Sequence, residues 1–75
     1  MTEVFSVTQF FKGGDYETVR KFVPVEEAVN AYKHYTNSVA VRMGVVDRVI
    51  ITDTLDCIVA EWKHGEGYVF PPSPE

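Results

Sequence analysis

The chain has 75 residues, eleven carboxylates against seven Lys and Arg, and one cysteine. That composition reads as one small domain over residues 1–75. It excludes an internal disulfide and a Cys/His-only zinc site, and its net charge of −4 argues against a nucleic-acid partner. No run approaches the ~20 apolar residues of a membrane span and no signal-peptide pattern opens the chain, so no membrane partner and a cytoplasmic protein are expected.

Residues 3–11, EVFSVTQFF, are rich in aromatic and β-branched types on both parities and predict a strand with no fully polar face. KGGD at 12–15 predicts a hairpin turn, and YETVRKFV at 16–23 the returning strand. Pro24 fits the first helical position, with Glu26 and Glu27 where the helix dipole favours carboxylates.

Val25, Ala28, Val29, Tyr32, Thr36, Val39, Ala40 and Met43 then recur at helical spacing up to Gly44, predicting a helix over 24–43. That stripe leaves Glu27, Asn30, His34 and Val41 on the side facing water. The β-branched residues of NSVAV, 37–41, offer an alternative end near Asn37.

VVDRVIITD, 45–53, and CIVAEWK, 57–63, predict two strands joined by the DTLD loop. HGEG turns the chain again, and YVF allows a short fifth strand before PPSPE. Residues 71–75 are expected to be a frayed tail. The fold class is therefore α+β, an antiparallel sheet in β-β-α-β-β(-β) order with one helix on one face.

The segment DTLDCIVAEWKHGEGYVFPP, 53–72, gathers acids, the cysteine, a histidine and the only tryptophan. Spacing disperses them. Cys57 and Glu61 share one side of an extended strand about 13 Å apart, and His64 lies farther still. Cys57 is expected to be a small buried residue rather than a nucleophile, Trp62 a core anchor beside Ile58 and Ala60, and Asp53 and Asp56 turn formers that bond their own backbone amides. No catalytic residue, metal ligand or cofactor is assigned.

RVIITD, followed by DC, EW and GEGYVFP, resembles small bacterial proteins of unknown function over about residues 7–72. The resemblance implies a compact domain and no particular activity.

One helix covers one face of a sheet, yet both parities of these strands carry apolar residues. The uncovered face, or the sheet edge, is therefore expected to meet a second copy in a two-fold homodimer, as part of a non-catalytic interaction module. Phe10, Tyr16, Phe22 and Tyr68 are the candidate contacts, with Arg20 as a polar anchor. The alternative is a small-ligand or metal-binding protein, or an enzyme, whose site between subunits uses Asp53, Asp56 and Glu61.

Overall fold

The structure, a computed structural model, describes residues 3–70. Strands β1 (Phe5–Phe11), β2 (Tyr16–Val23), β3 (Val46–Thr52), β4 (Ile58–Lys63) and β5 (Gly67–Phe70) form one antiparallel sheet in the order β2-β1-β3-β4-β5. A bent helix, α1 (Val25–Thr36) and α2 (Val39–Arg42), packs on one face. The α+β order expected from the sequence is the observed one, with the fifth strand present. The tail at 71–75 lies outside the described residues.

Pro24, in extended conformation at φ −61° and ψ 159°, is the N-cap rather than the first helical residue. The bend has a local cause. The Thr36 hydroxyl and the Asn37 side-chain amide both donate to the Lys33 carbonyl, at 3.1 and 2.8 Å, and so cap the last turn of α1. Ser38 is extended and its Oγ accepts from the Val41 N–H at 3.3 Å, starting a new helical turn.

This restart shifts the phase of the apolar stripe and corrects the expectation of an unbroken helix over 24–43; α1 ends at Thr36 with Asn37 as its cap, at the alternative end, and a second helical turn follows it. Val41 is buried, whereas Val39 and Met43 are 69% and 73% exposed. Val25, at the start of the expected stripe, is also exposed.

The core joins Val7, Val46, Val49, Ile51 and Trp62 of the sheet to Ala28, Ala31, Tyr32 and Val41 of the helix layer. Register places Val7 opposite Ile51, Gln9 opposite Val49, and Trp62 opposite Val49. Side chains directly opposite share a face, so these residues define the covered side.

Irregularities decide what strict alternation would misplace. A register shift between Phe10 and Phe11 pairs Phe11 with Val46 and brings Val46 into the core. A second shift, between Ile51 and Thr52, pairs Ile58 with Thr52 and turns it away from the side of Trp62 and Ala60. Ile58 was expected beside Trp62; the bulge places it on the open side. Cys57, expected to be buried, lies exposed in the preceding loop.

Candidate functional site

The helix layer leaves the other face of the sheet open. Phe10 of β1 lies opposite Tyr16 of β2 and Arg48 of β3, and Thr8 opposite Thr18 and Ile50. On β4, Lys63 faces Arg48, Glu61 faces Ile50, and Ile58 faces Thr52.

One end of this face is an aromatic and cationic cluster. The Phe10 and Tyr16 rings are tilted with centroids 5.8 Å apart, and the Arg48 guanidinium lies 5.1 Å from the Phe10 centroid. Arg48 Nε donates to Glu61 Oε2 at 2.6 Å in a half-buried ion pair. Ile50 stands two residues after Arg48 on the same side of β3, opposite Glu61, and is only 7% exposed although the helix layer lies on the other face. Long charged side chains shield it by laying their stems across apolar surface. Tyr16, by contrast, is 67% exposed.

The five contact candidates are not all brought together. Phe10 and Tyr16 meet on the open face. Phe22 stands at the far end of β2, its N–H donating to Ser6 Oγ at 3.3 Å and the Lys21 ammonium 5.5 Å from its ring centroid. Arg20 turns to the helix layer, where its Nε lies 3.8 Å from Glu27 Oε2. Tyr68 also sits on the helix side, its ring 5.7 Å from that of Tyr32.

Arg48, Ile50 and Lys63 were missed as surface partners. For Arg48 and Ile50 the signal lies in the alternation of VVDRVIITD once β3 is paired with β1, and for Lys63 in its place opposite Arg48 on β4.

The acidic alternative is dispersed. Asp53 Oδ1 accepts from the Leu55 and Cys57 N–H groups at 2.9 and 3.0 Å, the backbone-bonding role expected of a turn carboxylate. Asp56 occupies the left-handed region at φ +60° in the same turn, and Glu61 is held by Arg48. Among the described residues, no group of three or more His, Cys, Asp and Glu converges to hold a metal ion. His34 and His64 are both exposed, each with its ring edge against an aromatic neighbour, Tyr35 and Trp62 respectively.

Beneath the helix layer, Thr36 Oγ1 gives its proton to the Lys33 carbonyl, so the Tyr68 hydroxyl, 2.9 Å away, donates to Thr36. The neighbouring Tyr32 hydroxyl is buried with no hydrogen-bond partner among the described residues. Burial, then the nearby Tyr68 and Glu61, push its pKa up from 10.0 to about 12.

Tyr32→Phe is therefore expected to raise stability at neutral pH by about 1 kcal/mol, because it removes a desolvated hydroxyl that gains no bond. Ionisation occurs first in the unfolded chain, so this tyrosine lowers stability as pH rises from about 10 to about 12. Chemical denaturation at both pH values checks this: the variant should lose roughly 2 kcal/mol less than wild type across that window.

Compared with protein-family models, curated proteins and solved structures, the chain matches none. No helix among the described residues is long and apolar enough to cross a membrane.

Proposed function

We propose that the protein is a non-catalytic interaction module that associates with further copies of itself through the open face of its sheet. The observation that carries this reading is the Phe10–Tyr16–Arg48 cluster, an aromatic and guanidinium surface on the side opposite the helix layer. Tyr, Phe and Arg are the types enriched at the centres of protein interfaces.

The sheet edges are poorer candidates. β2 carries two register shifts against β1 and has a left-handed residue, Phe22, next to its last position, and β5 has four residues followed in sequence by Pro71 and Pro72. Bulges, short strands and prolines are the devices that protect edges from strand addition.

Phe22 supports the same reading. Its φ of +57° is a costly conformation for a bulky residue, and its side chain is 60% exposed, so little burial offsets the strain. Phe22→Gly removes that strain along with the ring. Its stability should stay within about 1 kcal/mol of wild type, against the 3–5 kcal/mol typical of truncating a core phenylalanine, while self-association weakens. Denaturant melts and sedimentation velocity on the same samples separate the two effects.

Sedimentation velocity of the wild type from about 10 to about 500 µM tests the proposal. Mass should rise above 8.5 kDa with concentration. A constant 8.5 kDa species throughout counts against it.

A further inference from the structure

Charge is divided unevenly between the two sides of the fold. Register places Arg48, Lys63 and Glu61 on the open face, and Lys21 stands beside Phe22 at the β2 rim. That is three cations and one carboxylate. From the seven Lys and Arg and eleven Asp and Glu of the chain, four cations and nine carboxylates remain on the other described residues, Glu75 lying outside them. The Arg48–Glu61 pair is neutral as a unit, so Lys63 and the rim Lys21 give this surface its net positive charge in an acidic protein.

The helix layer carries the counterpart. Val25, Glu26, Val29 and Asn30 line an open groove of about 440 Å³ along the outer flank of α1. Val25 is 51% exposed, and Glu26 is exposed while its neighbour Glu27 is engaged by Arg20. The groove therefore sets two valines beside an exposed carboxylate.

We infer that the open face of one copy docks on the α1 groove of the next, with Tyr16 entering between Val25 and Val29 and the cations of the face meeting Glu26. The contact is heterologous: two different surfaces of the chain meet, and the assembly extends head to tail or closes as a ring. A two-fold pairing of open faces would set like charges against each other, which is unfavourable at an interface. This inference rests on the self-association proposed above and specifies its geometry.

Two variants test it in combination. Tyr16→Glu breaks the open face and leaves the groove intact; Glu26→Lys breaks the groove and leaves the face intact. Both positions are exposed, so both variants are expected to fold, which circular dichroism verifies.

Each variant alone should sediment as a monomer at concentrations where the wild type assembles. An equimolar mixture should form a 1:1 dimer that grows no further, since only one compatible pair of surfaces remains. Wild-type assembly should also weaken about tenfold or more between about 0.05 and about 0.5 M salt.

If Glu26→Lys assembles like wild type, the groove is not the docking surface. If both variants are monomeric but the mixture stays monomeric, the heterologous geometry is wrong while self-association stands. A wild type that never assembles removes the underlying proposal itself.

Discussion

Ile51→Ala is expected to destabilise the protein by about 3 kcal/mol and Ile50→Ala by only about 1 kcal/mol, although the two residues are adjacent and almost equally buried at 4% and 7% exposure. The difference lies in what surrounds them. Ile51 faces Val7 and Ala60 under the helix layer and belongs to the core cluster. Removing its outer carbons loses their transfer free energy and leaves a cavity that packed neighbours fill only in part.

Ile50 stands on the open side, beside Arg48 on β3 and opposite Glu61, and is not part of that cluster. Water and flexible stems can occupy the vacated space, so the cavity contribution falls away. Small domains have ~5–15 kcal/mol in total, so the first loss will show as a clear shift of the denaturation midpoint at unchanged slope. Equal losses for the two variants would mean that the open face is as well packed as the core.

The second large effect concerns assembly. Tyr16→Glu should weaken self-association by at least about 2 kcal/mol, or roughly 30-fold, the loss typical of truncating an aromatic anchor. Stability should change little, because Tyr16 is 67% exposed and its ring touches only Phe10 among the aromatics. A single residue would then separate folding from association. If the variant unfolds instead, Tyr16 contributes to packing and the surface role assigned to it fails.

Much of this architecture was legible in the residues. KGGD at 12–15 marks the β1–β2 turn because Gly14 takes φ +98°, and the strand over 16–23 matches β2 residue for residue. Two competing local preferences were not resolved by pattern. Capping by Asn37 and Ser38 overrides the helical periodicity and resets its phase, which exchanges Val41 for Val39 and Met43 in the core. Bulges override the two-residue alternation of the strands, which exposes Ile58 and buries Val46.

The candidate surface was legible in part. Phe10 and Tyr16 share a parity relation across a predicted hairpin, so their meeting follows from turn length alone. Arg48 reaches them only because β3 inserts between β1 and β4, a choice of strand order that no local pattern encodes. Tyr68 and Arg20 look equally interactive as residue types, yet the register turns both toward the helix layer.

The claim that the open face is a contact surface is tested most directly by a dilution series of backbone amide spectra on the wild-type protein. On raising concentration, shifts and line broadening should cluster at Thr8, Phe10, Tyr16, Thr18, Phe22, Arg48 and Ile50, with a second cluster along α1 at Val25 to Asn30. Spectra that superimpose across the series, or changes that spare Phe10, Arg48 and Ile50, would contradict the account.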